Sequence, residues 1–160
     1  MDYDAIILGA GGAGLMAAAT AGQAGARILL IDHAEKPGKK ILISGGGRCN
    51  FTNTGCGPEN FLSENPHFAK SALSRYTQWD FIDLVDRHGI AWHEKTLGQL
   101  FCDGSARQIV AMLMEECAKG GVEVRLGTPV GDIGHADGRF RVAGASAPAL
   151  VIATGGPSIP

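Results

Sequence analysis

Asp4-Ala-Ile-Ile-Leu-Gly-Ala-Gly-Gly-Ala-Gly14 runs into an alanine-rich stretch and then into Arg27-Ile-Leu-Leu-Ile-Asp32. An apolar run of strand composition meets Gly9-x-Gly11-x-x-Gly14, a small-residue helix follows, and a second apolar run ends on a carboxylate. These are the parts of a βαβ dinucleotide-binding unit, in order. Gly9 permits a tight turn off the first strand, Gly11 lets the backbone approach a pyrophosphate, and Gly14 lets the helix pack on the sheet. A helix opening near Gly12 and Ala13 aims free N–H groups and its positive dipole end at phosphates. Asp32 stands about 18 positions past Gly14, the spacing expected of a carboxylate that accepts ribose hydroxyls and repels a 2′-phosphate. The bland alternative is a doubly wound fold whose glycine loop only turns. Leu15-Met16 after Gly14 excludes a P-loop, which needs Lys-Ser/Thr there, and no G-x-S-x-G elbow is present.

The 160 residues suffice for one domain with a real core. Apolar residues make up 45% and charged residues 19%, with a net charge of −2, which argues against a general nucleic-acid or acidic-membrane surface. Lys36, Lys39, Lys40 and Arg48 form a local basic cluster among glycines, suited to a phosphate neighbourhood or a solvated loop. Asp2 passes directly into a strand and the apolar runs are too short to span a bilayer. A cytoplasmic protein with no membrane partner is expected. Cys49, Cys56, Cys102 and Cys117 lack a CxxC pattern and are expected reduced. His88 and His93 fall on different expected elements, so no metal site is expected.

Periodicity and turn residues predict strands over 4–9 and 26–32 around a helix over 12–25, then a long glycine-rich connection over 33–63. Helical spacing covers 66–88 with a break near Gln78 and a stop at Gly89. Short strands follow at 90–94 and 98–102. Ser105-x-x-Gln108 opens a helix to Lys119, and a strand occupies 122–126. Asp137-Gly138 predicts a hairpin between 129–135 and 139–143. Leu150 to Ile152 reads as a buried closing strand. The fold class is therefore α/β, a doubly wound parallel sheet with a small antiparallel meander. A meander before the closing strand is a feature of two-dinucleotide flavoproteins. Trp79, Phe81 and Trp92 are expected in the core.

Lys40-Ile-Leu-Ile-Ser-Gly-Gly-Gly-Arg-Cys-Asn-Phe-Thr-Asn53 resembles the signature of the YhiN/BaiN-like (aminoacetone oxidase-like) flavoproteins, and Gly9–Gly14, Asp32 and Ala153-Thr-Gly-Gly156 fit the same family. The resemblance covers essentially the whole chain. It implies tightly bound FAD, a glutathione-reductase-like Rossmann domain over 1–160, and NAD(P)H as hydride donor for a small organic substrate. It also implies a longer chain, so an inserted β-rich domain and a C-terminal flavin segment are expected to be absent here.

From composition alone, Ser44-Gly45-Gly46-Gly47-Arg48-Cys49-Asn50 is either a solvated loop or a cofactor contact; the resemblance favours contact. Glycine N–H groups would meet phosphate or ribityl oxygens, and Arg48 would bring a fixed charge. The resemblance adds Lys40, Thr154 and Gly155 to the cofactor-binding residues. His33 is expected beside adenine or in solvent. No catalytic acid is assignable. Three alternatives stay open: a simple NAD-binding domain, a flavin disulfide reductase using Cys49 and Cys56, and a nucleotide-binding module without turnover. Cys102 and Cys117 are expected to be core thiols.

Overall fold

The computed structural model describes residues 3–156. In chain order the elements are β1 (Ala5–Leu8), α1 (Gly12–Gln23), β2 (Ile28–Ile31), α2 (Lys39–Ile43), β3 (Asn50–Asn53), α3 (Lys70–Arg75), α4 (Gln78–Arg87), β4 (Trp92–Glu94), β5 (Gln99–Cys102), α5 (Ala106–Lys119), β6 (Glu123–Arg125), β7 (Gly134–Ala136), β8 (Arg139–Val142), β9 (Ala145–Ala147) and β10 (Ala149–Ile152). They form two compact units, Met1–Ile41 with Val110–Pro160, and Leu42–Ile109.

The first unit is built on a parallel sheet in the order β10-β1-β2-β6. All four residues of β2 are buried, as a strand covered on both faces must be. Ile6, Leu8, Leu29 and Ile31 join Tyr3, Val142, Ala145 and Ala147 in one core, so the meander β7-β8-β9 covers that face. On the opposite face α1 lies along β1 and β2 and buries Leu15, Ala18 and Ala19. The C-terminal end of α5 comes close to α1: a Cβ on Gly22 would stand 2.7 Å from the Gly120 carbonyl oxygen and 2.9 Å from Val122 Cγ2. The α/β architecture is the one the βαβ pattern predicts.

The second unit holds an antiparallel sheet in the order β3-β5-β4. Helix α4 buries Ile82, Leu84 and Val85. Phe51 gathers Phe81 and Trp92 around it, with ring centroids 6.1 and 6.2 Å away. The helix break expected near Gln78 falls at Thr77, whose backbone N–H donates to Asp80 Oδ2 at 2.7 Å while Asp80 N–H donates to the Thr77 hydroxyl.

Four expectations need correction. The 33–63 connection is not all loop: it contains α2 and β3, because Asn50–Asn53 finds β5 as an antiparallel partner. The first hairpin strand is shorter than 129–135, leaving only Gly134–Ala136 paired. The closing strand β10 is not buried. It stands at the sheet edge with one neighbour, leaving Val151 38% and Ile152 60% exposed. Trp79 is 55% exposed at the first turn of α4 rather than in the core. A further strand, β9, follows a second two-residue turn, Ala143-Gly144, with φ of +47° and +76°. Both central residues of such a turn lie in the left-handed region, as they do at Asp137-Gly138.

Alanine is a poor residue for that region. Ala143→Gly relieves about 1–2 kcal/mol of left-handed strain against about 0.5–1 kcal/mol of added chain entropy. A net gain of up to about 1 kcal/mol is expected in urea unfolding. A loss of stability would show that the turn is not strained.

Candidate nucleotide-binding site

The site is assembled at the C-terminal ends of β1, β2 and β10, where open α/β sheets bind ligands. Gly9 has φ +105°, and a Cβ there would overlap the Ala153 carbonyl. A Cβ on Gly14 would overlap the Gly9 carbonyl, with the Ala153 side chain 3.4 Å away. Both glycines are thus required by close backbone approach. Gly11 is different: nothing lies within 4 Å of where its Cβ would be, and Gly12 would meet only Ile41 Cδ1 at 3.7 Å. Helix α1 starts there without a side-chain cap, so its first N–H groups have no side-chain acceptor at the cap.

Asp32 follows directly on β2, its side chain 16% exposed. Its Oδ2 accepts from Ala10 N–H at 2.6 Å and its Oδ1 from Ala34 N–H at 2.8 Å. A carboxylate has about four lone-pair sites, so two bonds leave room for hydroxyl donors. His33 is 84% exposed, with Nδ1 3.4 Å from Asp32 Oδ1.

Two clefts meet at Asp32. One, of about 370 Å³, is lined by Gly9, Ala10, Gly11, Gly12, Ala13, Asp32, His33, Ala34, Lys39, Lys40 and residues Ala153 to Gly156. It is walled by backbone and carries two lysines. Lys40 Nζ donates to the Gly156 carbonyl at 2.7 Å. The other, of about 430 Å³, shares Gly9, Asp32, His33 and Thr154 and adds the apolar side chains of Leu8, Val130, Ile133 and Ile152. A nucleotide needs this division: donors and positive charge for phosphate, an acceptor for ribose, and an apolar slot for the base.

The structure therefore brings together Gly9, Gly11, Gly12, Ala13, Asp32, His33, Lys40, Thr154 and Gly155. Gly14 packs, as its place in the motif predicts: it is buried and lines neither cleft. Ser44 to Asn50 belong to the second unit. There Gly45 (φ +56°) and Gly46 (φ +65°) are consecutive left-handed residues, and a Cβ on Gly45 would stand 2.7 Å from the Phe101 ring. Arg48 is exposed, and its carbonyl accepts from Cys102 N–H at 3.0 Å. Asn50, with its amide oriented to suit its surroundings, donates to the Thr52 carbonyl at 3.0 Å and the Leu100 carbonyl at 3.3 Å. Its N–H donors are thus turned back onto its own sheet.

Cys49, immediately before β3, is buried, 5% exposed. Burial raises its thiol pKa, partly offset by a hydrogen bond with Ser44. An attacking thiol needs the opposite shift, which speaks against the Cys49–Cys56 disulfide-reductase alternative. Cys102 and Cys117 are buried and pushed up to about 11, desolvation being the main cause for each, with the charge of nearby Cys49 adding to the effect on Cys102. Among the described residues no group of three or more His, Cys, Asp or Glu side chains is placed to hold a metal ion. No helix there is long and apolar enough to cross a membrane.

Val130 and Ile133 fall within the strand expected over 129–135, but they precede the paired residues Gly134–Ala136 and line the cleft. The flanking Gly127, Pro129 and Gly131 were the available signal that this stretch is a loop. Thr128 N–H donates to the Asp32 carbonyl at 3.0 Å, which helps set the loop beside the cleft.

The family model described as the HI0933-like protein Rossmann domain matches residues 3–160. The chain belongs to this family. This HI0933-like domain is 60% identical over 162 residues to a ribosomal RNA dihydrouridine synthase of Escherichia coli, covering 99% of this chain and 40% of that protein. It is 48% identical over 163 residues to a protein of the same name from Haemophilus influenzae, covering 97% and 41%. A 3-dehydro-bile acid delta(4,6)-reductase of Clostridium scindens is 31% identical over 86 residues, 52% of this chain and 21% of that protein. The chain thus spans about two fifths of the length of the two synthases. Among solved structures, the Diels-Alderase PyrE3 aligns with TM-score 0.61 and 19% identity over 94% of this chain and 32% of that one. The halogenase PltM, solved with phloroglucinol and FAD, aligns with TM-score 0.53 and 19% identity over 94% and 34%. At these identities the likeness establishes the fold.

Two outcomes test the site. Gly11→Val projects into open space, so it should change stability by no more than about 1 kcal/mol while abolishing ADP binding in isothermal titration. Gly14→Ala should instead destabilise by about 1–3 kcal/mol. ADP affinity unchanged in the Gly11 variant would misplace the phosphate. In thiol labelling of the folded protein, Cys56 should react first. Cys49, Cys102 and Cys117 should be protected until unfolding; rapid labelling of all four would contradict the burial.

Proposed function

We propose that this chain is the FAD-binding portion of a YhiN/BaiN-like flavoprotein oxidoreductase that uses NAD(P)H to saturate a carbon–carbon double bond, with uridine in RNA as the substrate. The observation that carries the nucleotide reading is the junction of a backbone-walled, lysine-bearing cleft with an apolar one at the Asp32 carboxylate. Gly11 and Gly12 leave space for a pyrophosphate at the start of α1, and Lys39 and Lys40 offset its charge. Asp32 would accept the ribose hydroxyls. Val130, Ile133 and Ile152, which line the apolar cleft with His33, would hold the adenine.

FAD, when bound, supplies a two-electron hydride carrier. The donor set fits FAD better than NADP, because Asp32 would repel a 2′-phosphate. Support for the substrate comes from the relatives. A dihydrouridine synthase and a delta(4,6)-reductase are both named for saturating a carbon–carbon double bond. In uracil that bond is conjugated to a carbonyl, so it takes hydride at C6 and a proton at C5. The net charge argues against a general nucleic-acid surface and the family resemblance implies a small organic substrate; a uridine ring keeps the small reacting group and differs on what carries it. A cytoplasmic location suits such a substrate.

The test is the visible spectrum of the purified protein with and without added FAD, and the mass of any released cofactor. Incubation with NADH or NADPH and a uridine-containing RNA follows. A flavin spectrum and RNA that gains two hydrogens per modified uridine are expected. A colourless protein that binds ADP but not FAD would overturn the flavoprotein reading. Bound FAD with unchanged RNA would overturn the substrate.

A further inference from the structure

The apolar cleft beside Asp32 has walls of two kinds. Leu8 is buried in β1 and pairs with Ile152 in the ladder to β10. Val130 packs against the core that the parallel sheet shares with the meander. Ile133 has neither support: it is 46% exposed, and with Ile152 it is one of two large side chains that the cleft leaves open to water. The chain is fastened on both sides of Ile133 and not at it. Gly127 N–H donates to the Ala34 carbonyl at 2.9 Å and Thr128 N–H to the Asp32 carbonyl at 3.0 Å, and pairing with β8 begins at Gly134. Among the described residues no backbone hydrogen bond reaches 129–133. With Val130 packed, the unfastened part is the three residues 131–133. It starts at Gly131, where even a Cβ would meet nothing within 4 Å.

We propose that residues 131–133 form a short flap that closes on the base of a bound nucleotide and carries Ile133 toward Leu8, Val130 and Ile152. The inference rests on the nucleotide reading of this cleft given above. A segment without backbone hydrogen bonds costs little to displace, and its fastened ends keep the swing short. Closure over a base removes water from Ile133, Ile152 and the ring together, so the closed form gains its advantage only when a base is present. Ordering three residues offsets part of that gain. The flap therefore acts chiefly on escape of the ligand, the step through which affinity is mostly tuned. Its fixed end is bonded to Asp32, the residue that faces the ribose, so the base wall and the ribose acceptor stay in register.

The experiment is hydrogen–deuterium exchange of the purified protein with and without ADP, together with the dissociation rate of ADP. The amides of Gly131, Asp132 and Ile133 should exchange rapidly alone and at least tenfold more slowly with ADP. Those of Gly127 and Thr128 should be slow in both states. Ile133→Ala should release ADP about tenfold faster, while slow exchange at 127 and 128 reports that the variant is folded. ADP binding with exchange at 131–133 unchanged, whether fast or slow throughout, would overturn the flap and leave the nucleotide reading standing. So would an Ile133→Ala variant that releases ADP at the parent's rate. Absence of ADP binding by the parent would overturn both.

Discussion

The Asp32 carboxylate holds the candidate site together. It ends a fully buried strand and accepts from Ala10 N–H on the glycine loop and from Ala34 N–H on its own loop. Its backbone N–H donates to the Arg125 carbonyl at 3.0 Å, and its carbonyl accepts from Thr128 N–H. One residue therefore ties together the loops after β1, β2 and β6. Hydrogen bonds to a charged acceptor are worth about 1.5–3 kcal/mol, large beside the marginal stability of a domain. An acid at this place sets loop positions and also faces a ligand. Its structural work alone accounts for a carboxylate here. What points to a nucleotide is the remaining lone-pair capacity together with the open space over Gly11.

The glycines separate in the same way. Gly9 and Gly14 are demanded by neighbouring backbone, whereas Gly11 is demanded by nothing in the chain. A residue whose missing side chain borders empty space points outward, to something the chain binds. The motif thus contains a folding half and a binding half, interleaved every few residues.

How much of this was legible in the sequence follows from the range of each interaction. β1, α1, β2 and Asp32 were legible because spacing within about thirty residues dictates them. Asp137-Gly138 announced its hairpin through residues that tolerate left-handed backbone. Ala143-Gly144 makes the same kind of turn with a residue that does not, so β9 was hidden. β3 was hidden because Asn50–Asn53 is polar and becomes a strand only by pairing with Gln99–Phe101, far along the chain. The exposure of β10 was likewise illegible: Leu150-Val-Ile152 specifies a strand, but burial depends on which neighbours the sheet supplies. Val130 reaches the cleft only through the loop that Thr128 fastens to Asp32. The proximity of Cys49 to Cys102, rather than a pairing with Cys56, comes from that same long-range register.

Net charge shows a further limit of composition. A value of −2 speaks to long-range steering toward a polyanion. It says little about stacking, in which a flat ring and a base exchange water-exposed apolar faces at short range. The average over 160 residues also hides that Phe61, Phe68, Tyr76 and Trp79 are exposed while Phe51, Phe81 and Trp92 gather together. Where a partner is held by stacking, the distribution of exposed rings is the informative quantity, and it becomes readable only once the fold has sorted Trp79 from Trp92 and Phe68 from Phe51.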